Sequence, residues 1–106
     1  MKRLLSVLLA LCITSPAFAQ SPLSTCDAVP ELAGLVMARR QVNADIMLML
    51  NYLTEEYADR TELLGWAQAM IDMAYTQAVA PEAAARSAQI EAFKALWLER
   101  CLAKMQ

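Results

Sequence analysis

The chain has 106 residues, 58% of them hydrophobic and 19% charged, with a formal net charge of −2 and no histidine. That length holds one small domain. An acidic balance offers no surface for nucleic-acid phosphates, and without histidine neither His-based catalysis nor a His-ligated metal is available.

Residues 1–19 read as an export signal. Lys2 and Arg3 give a basic start, and Leu4 to Ile13 is an apolar run broken by Ser6. Pro16-Ala17-Phe18-Ala19 then offers small residues ahead of a cut before Gln20. The run is shorter than the roughly 20 apolar residues a stable bilayer span needs. Leu11 is bulky where a lipidation site at Cys12 would carry a small residue. The expected destination is therefore the periplasm or the medium, with no membrane span after cleavage. Losing Lys2 and Arg3 leaves seven cations against 11 acids, a net charge of −4 over residues 20–106.

Only Cys26 and Cys101 survive cleavage, so an oxidising compartment permits a single pairing. The two lie far apart in sequence with no Cys-x-x-Cys, which reads as a structural staple between the ends of the domain. Closing so long a loop is worth about 4 kcal/mol of chain entropy.

The two glycines and the wealth of Ala, Leu, Met, Glu and Gln predict an all-α domain of three helices, the first one long. The first is expected to start near Pro30, a residue suited to the first helical turn, and to run to Leu53. The second opens on Asp59, whose spacing to Glu62 matches a capping box, and runs to Val79. The third opens at Pro81-Glu82 and runs to Ala103. Tyr57–Asp59 and Val79–Ala80 are the expected connections.

At 100° per residue Leu32, Leu35, Val36, Ile46, Leu50 and Leu53 share one stripe of the first helix, with Arg39 and Asn43 inside it. Leu64, Ala67, Ile71, Ala74 and Ala78 line the second, with Arg60 at its N-terminal end. The third carries Ala85, Ala88, Ala92 and Leu96, with Gln89 among them, beside a stripe of Ile90, Phe93, Trp97 and Cys101. Ile46 to Leu50 is apolar all round, which means burial on every side or a contact with a second subunit, and makes a homodimer a candidate state.

A guanidinium on a core-facing stripe demands an anion beside it. Arg39 and Arg60 could supply that demand as a pocket for a small dianionic ligand, gripping carboxylates with planar forks. Internal acids such as Glu62, Asp72 or Glu91 could equally pair with them, or the side chains could snorkel to water. Arg40, Arg86, Lys94, Arg100 and Lys104 read as solvated. The cluster of Glu55, Glu56, Asp59 and Glu62 lacks regular oxygen-ligand spacing and reads as a solvated helix N-terminus, not a metal site. No glycine-rich phosphate loop occurs, no cofactor is expected, and a serine or cysteine nucleophile would have no histidine to activate it.

Three stretches carry a resemblance. They are Leu32-Ala33-Gly34-Leu35-Val36-Met37-Ala38-Arg39-Arg40, then Asp59-Arg60-Thr61-Glu62, and Gln89-Ile90-Glu91-Ala92-Phe93-Lys94 following Ala80-Pro81-Glu82-Ala83. The pattern resembles the all-helical chorismate mutases, including their exported, disulfide-containing subclass, over most of residues 29–98. The resemblance implies a periplasmic isomerase that rearranges chorismate to prephenate within one molecule by holding a compact dianion. It assigns substrate binding to Arg39 and Arg60 and places Gln89 in the third-helix run. The family's first-helix lysine falls on Leu50, its second-helix glutamate on Thr61, and its third-helix amide on Trp97. Loss of one preorganised donor of this kind typically lowers the rate by about 10²–10³. The other expectation is a catalytically inactive small helical protein that binds or inhibits a partner through its apolar surface.

Overall fold

The computed structural model describes residues 22–105, so the export signal read in residues 1–19 lies outside the described part. The described chain is all-helical, with four helices: α1 (Pro22–Gln41), α2 (Ile46–Glu56), α3 (Thr61–Ala74) and α4 (Ala83–Lys104). α1 is the central element, packed along α4 and against α3, whereas α2 rests on α3 at the margin.

The expected long first helix is two helices, and the break has a local cause. Asn43 takes a left-handed conformation (φ 58°), which a short polar side chain tolerates better than most. Around it the Ala44 N–H bonds the Arg39 carbonyl and the Asn43 N–H bonds the Arg40 carbonyl, both at 2.9 Å. This 6→1 and 5→2 pair is a Schellman ending. Asp45 then caps the new helix, its carboxylate accepting from the Met47 and Leu48 N–H groups at 2.8 and 3.2 Å. Pro30 sits inside α1 and does not open it. Asn43→Val should therefore cost about 1–2 kcal/mol, since a β-branched residue is strained at positive φ, while Asn43→Gly should be nearly neutral. Thermal melts of the two variants check this.

The other boundaries also shift. α3 starts at Thr61 with Arg60 at its N-cap and no side-chain cap bond, so the Asp59–Glu62 capping box does not form. α3 ends at Ala74, and residues 75–82 form a longer connection than expected. α4 opens at Ala83, two residues after Pro81, and runs to Lys104.

The core is one cluster. α1 contributes Cys26, Val29, Leu32, Ala33, Val36 and Met37, all buried. α3 adds Leu63, Ala67, Met70, Ile71 and Ala74, and α4 adds Phe93, Trp97 and Cys101. On α4 the buried face is thus the Phe93–Trp97–Cys101 stripe, while Ala85, Ala88 and Ala92 are exposed. Trp97 packs edge-on against both Trp66 (ring centroids 5.9 Å) and Phe93 (6.0 Å), an arrangement the ring quadrupoles favour. Close approach of α1 and α4 is eased at Gly34, where a Cβ would stand 3.1 Å from the Lys94 stem. The expected disulfide is present: Cys26 and Cys101 are bonded, their Cα atoms 5.7 Å apart across 75 positions. Met105 Sδ lies 3.2 Å from Cys26 Sγ.

Candidate functional site

α2 is held by little. Of its side chains only Met49 and Leu53 are buried. Its entry is tethered by the Tyr75 hydroxyl, which donates to the Ala44 carbonyl at 2.6 Å. The run Ile46–Leu50 is apolar on every side, so with Met49 in the core and Leu50 packed against it, Ile46, Met47 and Leu48 are left exposed. Val42 is 72% exposed, Leu48 70%, Met47 61% and Tyr52 48%, with Ile46 beside them. On a helix, positions 48 and 52 stack one turn apart, so Leu48 and Tyr52 share one face, whereas Met47 lies about 100° and Ile46 about 160° round the axis from Leu48.

Two depressions flank α2. One, of about 250 Å³, lies between α1 and α2 and is lined by Leu35, Arg39, Ala44, Asp45, Leu48, Met49 and Tyr52. Its walls are mainly apolar, with one cation and one carboxylate at the rim. The other, of about 470 Å³, is a shallower groove between α2 and α3 lined by Ile46, Leu50, Gln68, Ile71, Asp72, Tyr75 and Thr76.

A polar clasp holds the end of α1 to the 75–82 connection. Arg40 donates from Nε and Nη2 to the Gln77 carbonyl at 3.0 and 2.8 Å, and its guanidinium lies 5.0 Å from the centroid of the Tyr75 ring. Gln41, the one buried polar side chain of the described core, accepts from the Ala80 N–H at 3.2 Å. Arg86 donates to the Ala80 and Pro81 carbonyls at 3.0 Å each. These bonds satisfy backbone groups that a helix end and an irregular connection leave unpaired. Burial holds the Tyr75 phenol above its ordinary range; nearby Arg40 lowers it and Asp45 raises it. The neutral phenol is the form that donates to Ala44. Its contribution to stability is thus fully present below the ordinary phenol pKa of about 10 and is lost as pH rises through the higher folded value. A fall in melting temperature above about pH 10 that is smaller in Tyr75→Phe is the expected result.

The residues assigned to substrate binding are not brought together. Arg39 is exposed, on the rim of the α1–α2 pocket. Arg60 is also exposed, at the far end of α2, its guanidinium 6.0 Å from the Tyr57 ring centroid. The pocket that Arg39 lines does not include Arg60. Neither arginine faces the core as the stripes predicted. The buried side of α1 runs through Val29, Ala33, Val36 and Met37, which carries inward Arg40 and Gln41 in place of Arg39. Gln89 is half-buried on α4, its Nε2 donating to Gln77 Oε1 at 3.0 Å and to the Ala78 carbonyl at 3.2 Å. Its amide is occupied in holding the connection. Arg40 and Gln41 are the polar residues that sequence reasoning missed, and their signal was available: they fall three to four residues beyond Met37 on the buried face.

Among the described residues no group of three or more His, Cys, Asp or Glu side chains could hold a metal ion, and no helix is long and apolar enough to cross a membrane. What the arrangement offers chemically is apolar contact beside a single exposed guanidinium. No family model matches the chain, nor does any curated protein or any solved structure.

Proposed function

We propose that the protein is a small binding protein of an exported compartment, a disulfide-stapled helical scaffold whose working surface is the outward face of α2. One observation carries this reading: Met47, Leu48 and Tyr52 are exposed on a helix that contributes only two buried side chains to the core, with Val42 exposed in the turn before it. Large apolar side chains left in water are prone to association, which favours an apolar occupant, either another polypeptide or a second copy of the chain. The test is a photo-crosslinking residue placed at Leu48 in the cell, with the exposed Ala84 on α4 as control position. A discrete adduct from position 48 and none from 84 is expected; an empty lane at 48 would sink the reading.

A second reading, a chorismate mutase-like isomerase, is favoured by Arg39 at the rim of a pocket with apolar walls. Such a site could hold one carboxylate of a dianion. It would need a second cation that Arg60, beyond the far end of α2, does not bring to the same pocket. The measurement is ultraviolet detection of chorismate loss with the oxidised protein. Turnover that disappears in Arg39→Ala would make this reading the better one. A rate no higher than the uncatalysed one is the expected outcome.

A further inference from the structure

We propose that Met105 is a modification site: a thioether that peroxides convert to the sulfoxide, and whose conversion opens the Cys26–Cys101 disulfide to reducing thiols. This stands independently of the reading of α2. Met105 is the C-cap of α4, its N–H bonded to the Leu102 carbonyl at 3.2 Å, and its Sδ lies 3.2 Å from Cys26 Sγ. The two cysteines are buried, yet Cys101 and Met105 both line a surface depression of about 310 Å³ with Thr25, Glu62, Trp66 and Lys104. The disulfide is thus one flexible side chain away from water. That side chain is 40% exposed, so a small oxidant in solvent reaches its sulfur. Among the other described methionines, Met37, Met49 and Met70 are buried and Met73 is half-buried against the core. Met47 is more open, at 61%, but it stands on α2, which rests on α3 at the margin.

In the oxidation a lone pair of Sδ takes one oxygen of hydrogen peroxide as the O–O bond breaks. Sulfur loses two electrons, and the other oxygen gains them and leaves with both protons as water. The product is polar and a strong acceptor where the thioether was apolar. Held against Cys26 Sγ, its oxygen would face a disulfide that has no proton to donate. Turned outward, it meets water and the exposed Lys104 ammonium at the same depression. Oxidation therefore moves the side chain off the sulfur it touches. Thiol exchange depends on that access. An incoming thiolate bonds to one cysteine sulfur as the S–S bond breaks, and the other cysteine leaves as a thiolate and takes a proton. A second thiol then displaces the first as a small-molecule disulfide.

The test follows disulfide loss in dithiothreitol by acid quench and thiol alkylation, before and after exposure of the oxidised chain to hydrogen peroxide, with sulfoxide located by mass spectrometry. Peroxide should place a sulfoxide on Met105 and speed reduction by about tenfold. Met47→Leu should keep that response. Met105→Leu covers the disulfide with an apolar side chain that peroxide does not attack, so its reduction should stay slow and unresponsive. Met105→Gln, polar and uncharged, should be reduced quickly without peroxide. Urea midpoints of the disulfide-bonded proteins should change little, since the cover acts on access and not on the core. An unchanged rate once Met105 carries the sulfoxide, or a response that persists in Met105→Leu, overturns the proposal. So does a faster reduction matched by an equal loss of global stability.

Discussion

Breaking the Cys26–Cys101 bond, by reduction or by Cys101→Ser paired with Cys26→Ser, should lower the stability of the folded chain by about 4 kcal/mol. The bond closes a loop across 75 positions and joins the start of the central helix to the end of the helix that packs along it. Most of its effect falls on the unfolded chain, whose freedom it removes. The cysteines are also buried core members, at 2% and 3% exposure, so serine hydroxyls would add an unpaired polar burden. For a domain of this size the loss corresponds to a fall in melting temperature of about 20 °C. Calorimetry with and without reductant measures it. A shift of only a few degrees would mean that the helices hold the ends together unaided.

Trp97→Ala should be nearly as damaging, at about 4 kcal/mol, whereas Trp97→Phe should cost far less, about 1.5 kcal/mol. Trp97 is 3% exposed and stands between Trp66 and Phe93, so truncation would empty the middle of an aromatic cluster and leave a cavity. The guanidinium of Arg100 also lies 5.0 Å from the centroid of its ring. The phenylalanine variant separates packing from polarity. Nε1 of Trp97 is buried without a hydrogen-bond partner, so replacing the indole by a phenyl ring removes some volume but breaks no bond. Urea denaturation of the two variants compares them directly. Equal losses would show that the indole N–H has a partner in solution.

The residues that announce the all-α class and the staple were legible because each depends on one local fact: few helix breakers, and two cysteines outside the expected export signal. The face of α4 was legible as well, since large apolar residues at Phe93, Trp97 and Cys101 outweigh alanines that can face either way. The break after α1 was harder to read. Asn43 and Asp45 are the ordinary residues for a left-handed helix end and an N-cap, but Ile46 to Leu53 continue the helical stripe of Leu32 to Val36 in register, and periodicity hid the turn. The break decides the candidate site. A continuous helix would have carried Arg39 and Ile46 along one buried line. Two helices rotate Arg39 outward and turn Met47 and Leu48 into water.

The polar residues were misplaced for a related reason. Small rotations of α1 between its two packing neighbours decide whether Arg39 or Arg40 lies inside, and a stripe drawn through one helix cannot sense them. Arg40, Gln41 and Gln89 have in common that their partners are backbone groups or amides of the 75–82 connection. A connection expected to be two residues long could not have presented them.

The staple also decides how the molecule answers a pull. Tension applied between the two tails would load the sulfur–sulfur bond, because force entering at Cys26 leaves at Cys101 without crossing the residues between them. The enclosed 74 positions would bear no tension, and the helical core would stay intact until the bond was reduced.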